Sequence, residues 1–77
     1  MDADALLALI AGTLAVPPSE ITEQSDMRNT RKWDSLRHMM LMTELENSYG
    51  IELSDQEMTE AVSVAAIRAA LRRRGVG

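Results

Sequence analysis

The chain has 77 residues, 45% of them hydrophobic, and a formal net charge of −4, which suits one small domain with a thin core and excludes a deep active-site cleft. With no cysteine there is no disulfide framework, thiolate nucleophile or cysteine zinc site, and packing alone must hold the fold. An acidic domain repels phosphate backbones, which excludes nucleic acid as a partner, and no apolar run approaches the ~18 residues of a membrane span.

Helix one is expected first. Leu6, Leu9, Ile10 and Leu14 recur at helical spacing after a capping candidate, Asp2 or Asp4, and the pattern stops before Pro17-Pro18. The apolar stretch from Leu6 to Val16 is not read as a signal peptide, because Asp2 and Asp4 stand where basic residues belong. The expectation is a soluble, cytoplasmic monomer. Residues 15–33 lack sustained periodicity and carry two prolines with several Ser, Thr and Asn, so they read as a long connecting loop. A loop of that length in so small a domain is often functional. Its apolar residues Ile21, Met27 and Trp33 are expected to pin it to the core.

The spacing predicts helix two over 35–49, with Asp34 as N-cap and Gly50 as the stop. At 100° per residue, His38, Leu41, Met42, Leu45 and Tyr49 share the core side, and Leu36, Met40, Thr43 and Asn47 share the other. Ser54 with Glu57 makes a capping box for a short third helix through Glu60, carrying Met58 inward. Ser63 caps helix four, where Val64, Ile67 and Leu71 form a core stripe before Gly75. Arg68, Arg72, Arg73 and Arg74 are read as cations that complement the dipole of that helix. The fold class is all-α: a small four-helix bundle, single domain over residues 1–77, with three main helices, one short third helix and a long loop between helices one and two.

Trp33-Asp34-Ser35-Leu36 at the start of helix two, after that loop, resembles the Asp-Ser-Leu motif of acyl carrier proteins. The likeness extends to nearly the whole chain: length, long first loop, Leu45-Glu46-x-x-Tyr49-Gly50-Ile51 closing helix two, and an acidic short helix before the last. The resemblance implies a carrier that is not an enzyme, with 4′-phosphopantetheine from coenzyme A attached covalently to Ser35 and Asp34 as motif and cap residue. The implied partners are a phosphopantetheinyl transferase and the enzymes that load and accept acyl groups. The physical reading of the residues agrees, since the unpaired N–H groups and positive dipole end of a first helical turn favour an attached phosphodiester. No catalytic residue and no metal site is expected.

Two residue sets follow. The outward face of helix two, with Leu36, Met40, Thr43 and Asn47 flanked by Arg37 and Glu44, is the expected docking surface for partners. Leu45, Leu53, Met58, Ala61, Val62 and Ile67 have spacings that point them at a common interior between helices two, three and four, a space that in this family shelters the acyl chain.

Other readings stand beside this one. Asp34, Ser35 and His38 offer the residue types of a hydrolase triad, but such a triad needs each group oriented in turn, together with an oxyanion hole; His38 instead falls on the core side. A peptidyl or aminoacyl carrier shares fold and cofactor, although such carriers usually show a Gly-Gly-containing run where Lys32-Trp33-Asp34 stands here. A helical interaction module without a prosthetic group is the remaining class, suggested by Met39, Met40 and Met42. Two departures bear on the partners. Arg31 and Lys32 occupy the place where carriers commonly have Leu-Gly, and Arg37 and Met40 stand on a face that is commonly acidic. The run Trp33-Asp34-Ser35-Leu36-Arg37-His38 resembles stand-alone carriers of polyketide or related secondary-metabolite pathways more than those of fatty-acid synthesis.

Overall fold

The computed structural model describes residues 2–76, with side chains described from Ala5 onward. Among these residues the chain forms four α-helices and no strand: α1 Asp2–Leu14, α2 Ser35–Tyr49, α3 Asp55–Glu60 and α4 Val64–Arg73. The expected bundle with a short third helix and a long first connection is present. The capping candidates Asp2 and Asp4 lie outside the residues whose side chains are described.

Each helix follows from its sequence. α1 buries Leu6, Ile10, Ala11 and Leu14 and leaves Leu9 half-buried, as spacings of three and four place them on one stripe. It ends where Ala15 turns to φ 60°. There the Val16 N–H donates to the Ala11 carbonyl at 3.0 Å and the Ala15 N–H to that of Gly12 at 3.3 Å, the paired closure of a Schellman motif. Alanine holds this left-handed position at a cost of roughly 1 kcal/mol. α2 closes at Gly50, φ 63°, with the Ile51 N–H on the Glu46 carbonyl; glycine adopts that conformation freely. α3 carries the expected capping box of Ser54 and Glu57, and the Ser63 hydroxyl caps α4 by accepting from the Ala66 N–H at 3.0 Å.

The long connection is fixed rather than loose. It contains a 3₁₀ turn, Pro18–Glu20, that the lack of periodicity did not reveal; proline at its first position presets φ. Ile21 and Trp33 are buried and Met27 packs on the core. The Met27 N–H donates to the Val62 carbonyl at 2.9 Å and the Val64 N–H to that of Ser25 at 3.0 Å, making one antiparallel bridge between Asp26 and Ser63. Arg68 adds a fork onto Glu23, with Nε 2.7 Å from Oε1, and this bond holds the Glu23 carboxyl below its ordinary range.

The C-terminal arginines divide. Arg72 and Arg73 sit in the last turn of α4, exposed, where the dipole argument places them. Arg68 and Arg74 reach across the fold instead. Arg74 forks onto the Glu57 carboxylate, with Nη2 2.6 Å from Oε1, and also donates to the Glu52 carbonyl at 2.7 Å, so it ties the end of α4 to the start of α3. The Arg74 hydrogen bonds, helped by the Ser54 N–H, lower the Glu57 pKa from 4.5 to about 2. A carboxyl whose pKa is depressed by folding stabilises fully above its unfolded pKa and loses that contribution as pH falls through the folded value. Thermal melts of the native protein and Glu57→Gln from pH 7 to pH 2 should therefore converge between pH 4.5 and about 2. Curves that stay parallel across that window would show that the pair does not form in solution.

Candidate functional site

The start of α2 places Asp34 and Ser35 in different roles. Asp34 has extended backbone and its Oδ1 accepts from the Arg37 N–H at 2.9 Å, so it performs the capping that serine performs at α3 and α4. Ser35 is thereby left as the first residue of the helix, exposed, with its hydroxyl bound to no protein group among the described residues. The N–H groups of Ser35 and Leu36 likewise have no protein acceptor there. Arg28, Arg31 and Lys32, all exposed, lie in the connection just before it. A free hydroxyl, two unpartnered amides and a helix dipole of positive sign form a donor set suited to a phosphodiester.

Beneath this point the chain is buried and hydrogen-bonded. Trp33, 1% exposed, donates from Nε1 to His38 Nδ1 at 3.0 Å. Because that nitrogen accepts, the proton of the neutral ring is on Nε2, which lies 2.7 Å from the Met58 carbonyl and donates to it. One imidazole thus joins the connection, α2 and α3, with the imidazole and indole edge to edge, their centroids 6.2 Å apart and their planes at 29°. Both nitrogens are engaged, so His38 is no base for Ser35, and Asp34, Ser35 and His38 are not arranged as a triad. The sequence pointed to a packed histidine; its two partners were not legible, because they come from residues 33 and 58 and the pairing is tertiary.

The outward face of α2 is open. Leu36 is 72% exposed, Met39 54% and Met40 48%, and Thr43, Glu44 and Asn47 are exposed beside them. Arg37 differs from the rest of this set, since its Nη1 lies 3.4 Å from the Thr13 carbonyl, among the last carbonyls of α1. Met42, by contrast, is buried.

The six residues expected to line an interior space lie in or against the core between α2, α3 and α4. Leu45, Leu53, Ala61 and Ile67 belong to the closed core, Met58 packs against it, and Val62 is half-buried. A smaller cavity of about 140 Å³ between α3 and α4 shares only Ala61 with them. The larger, about 620 Å³, lies between α1 and α2, where Leu9, Gly12 and Thr13 face Met40, Thr43 and Glu44. Sequence reasoning missed this groove. Its available signal was Gly12, a glycine inside an otherwise strong helical pattern.

No helix among the described residues is long and apolar enough to cross a membrane, and no group of three or more His, Cys, Asp and Glu side chains there is placed to hold a metal ion. Residues 4–71 match the protein family described as phosphopantetheine attachment site. Over 64 residues the chain is 30% identical to the polyketide-8 synthase acyl carrier protein 2 of Streptomyces avermitilis, covering 83% of this chain and 74% of that one. It is 34% identical over 68 residues to an acyl carrier protein of Rubrobacter xylanophilus, covering 83% of this chain and 84% of the relative.

Proposed function

Because the chain belongs to the acyl carrier protein family, a family of carriers and not catalysts that bear 4′-phosphopantetheine covalently, we propose that Ser35 is its attachment point and that it presents acyl groups to partner enzymes of polyketide or related secondary-metabolite biosynthesis. The group supplies a thiol on which acyl chains ride as thioesters. In this reading residues 1–77 act as one carrier domain, a cytoplasmic monomer.

The observation that carries the assignment is the division of labour at α2: Asp34 caps, and Ser35 keeps a free hydroxyl at the dipole end. In the attachment step Ser35 Oγ attacks the β-phosphorus of coenzyme A, and the P–O bond to the adenosine 3′,5′-bisphosphate leaving group breaks. The hydroxyl proton leaves to a base on the transferase, since both nitrogens of His38 are occupied. The unpartnered amides of Ser35 and Leu36 would be free to donate to the phosphodiester charge. The polyketide context is supported by the name of the Streptomyces relative and by the cations Arg31, Lys32 and Arg37 around the site. Intact mass after incubation with coenzyme A and a promiscuous phosphopantetheinyl transferase tests the function. A carrier gains the arm, and an interaction module without a prosthetic group stays at its original mass.

The docking face is proposed as Leu36, Arg37, Met40, Thr43, Glu44 and Asn47. Leu36 is the test residue, because a 72% exposed leucine contributes almost nothing to folding yet can anchor a partner. Leu36→Ser should leave the melting temperature unchanged and lower kcat/KM for modification by the transferase roughly tenfold, about 1.4 kcal/mol. An unchanged kcat/KM would remove Leu36 from the interface.

A further inference from the structure

Resting on the carrier reading, we propose that the connection before α2 carries a second docking surface, where Arg28, Arg31 and Lys32 receive an acidic face on the enzymes that load the arm. The α2 face follows Ser35 in the chain. This one precedes it and is built by two turns.

Asp26 and Asn29 close the first turn. Asp26 Oδ1 accepts from the Arg28 and Asn29 amides, both at 2.8 Å. Asn29 Oδ1 accepts in return from the Asp26 amide at 2.9 Å, and its Nδ2 donates to the Gln24 carbonyl at 3.0 Å. Arg28 stands exposed between the two clamping side chains. The second turn is closed by the Trp33 N–H on the Thr30 carbonyl at 3.0 Å, so Arg31 and Lys32 occupy the two corner positions of a β-turn. Its last residue, Trp33, is buried. The turn is thus anchored by the indole, with both corner cations exposed.

Charge selects the occupant. Residues 28–37 hold Arg28, Arg31, Lys32 and Arg37 against Asp34 alone, in a chain whose net charge is −4. Arg28, Arg31 and Lys32 form no ion pair among the described residues, whereas Arg68 and Arg74 are paired with Glu23 and Glu57. The positive end of α2 adds to the same field. Lys32 and Arg31 lie at most ~11 and ~14 Å of chain from Ser35, comparable with the ~10 Å over which charges act in 0.1 M salt. A protein face seated on Ser35 therefore meets them. Coenzyme A is anionic too, but in-line attack by Ser35 Oγ puts its adenosine bisphosphate on the far side of the phosphorus, away from the carrier. Carboxylates of the enzyme remain as the complement, and such matching speeds encounter while rejecting partners of the wrong sign.

The test is a charge swap. Malonyl transfer from malonyl-coenzyme A onto the holo protein is followed by intact mass with a malonyltransferase that serves acidic carriers. A second form of that enzyme has the Lys and Arg of its docking face changed to Glu. The carriers compared are the native chain, Arg28→Glu/Arg31→Glu/Lys32→Glu, the same three positions changed to Gln, and Arg72→Glu/Arg73→Glu as a control on α4. In ~0.02 M salt the parent enzyme should load the Glu carrier with a kcat/KM roughly tenfold above native, and the Glu-bearing enzyme roughly tenfold below native. Each comparison is made on one enzyme with one coenzyme, so their own charges and activities cancel. Salt at ~0.5 M should bring both ratios near one. The Gln carrier should shift in the same directions by less, and it decides the matter if the Glu carrier does not fold. Arg72→Glu/Arg73→Glu should match native on both enzymes. Equal rates for native, Glu and Gln carriers would overturn the proposal, as would an equal response to the α4 control. Holo protein that forms but ignores charge leaves the carrier reading standing; a native chain that takes no arm would defeat that reading, and this surface with it.

Discussion

Ser35→Ala should abolish the mass gain completely while leaving the four helices and the melting temperature as they are. The hydroxyl makes no protein contact among the described residues and the residue is exposed, so its removal falls within the ±0.5 kcal/mol typical of surface substitutions. Five other serines are present and none shares its setting; Ser19 is exposed but lies in the three-residue 3₁₀ turn Pro18–Glu20, beside Glu20 and not at the start of an α-helix. Ser54 and Ser63 are bound as caps to the Glu57 and Ala66 amides, and Ser25 is buried with its Oγ accepting from the Thr22 N–H. Ser48 is exposed, but it lies in the last turn of α2, where the dipole repels phosphate. Intact mass and peptide mapping of both proteins decide the matter. Modification of the variant at any of these serines would end the assignment to Ser35.

The second large effect belongs to Trp33. Removing a fully buried indole leaves a cavity, and Trp33→Ala should cost about 3–5 kcal/mol. Small domains hold ~5–15 kcal/mol in total, so this variant should be close to unfolding at room temperature. Trp33→Phe separates volume from hydrogen bonding, since it keeps a ring in place but leaves His38 Nδ1 without its donor. An unsatisfied buried acceptor adds about 1–3 kcal/mol. Urea melts of the two variants measure both terms. If Trp33→Phe cost less than about 0.5 kcal/mol, the indole N–H would have no part in holding the connection onto α2 and α3.

The helices were legible because their signals are local. Asp34 and Gly50 bound α2 at the positions the capping rules give, and the Ser54-Glu57 box was readable four residues at a time. The wheel assigned the buried His38, Leu41, Met42 and Leu45 to the inner face and the exposed Leu36 and Met40 to the outer. What the sequence hid is what depends on distant partners. The Trp33–His38–Met58 chain spans 25 residues, Arg74 finds Glu57 and Glu52, and Arg68 finds Glu23. No periodicity announces such pairs. The groove was hidden for another reason, since it depends on how far α1 stands from α2, and an amphipathic pattern states only which faces meet.

The bridge between Asp26 and Ser63 bears on how the chain assembles. Bundles of helices joined by near neighbours fold quickly, because most of their contacts close short loops. Here two amide bonds, Met27 to Val62 and Val64 to Ser25, join segments separated by more than thirty residues, and chain entropy opposes that closure until both ends are in place. The helices can form and collapse first, while the connection that precedes Ser35 reaches its final shape only when the junction of α3 and α4 arrives to meet it. A ribosome emitting this chain releases Ser35 well before residues 62–64, so the surface around the serine is completed by the last third of the polypeptide. The connection that precedes Ser35 is thus closed by residues made after it, at the junction of α3 and α4.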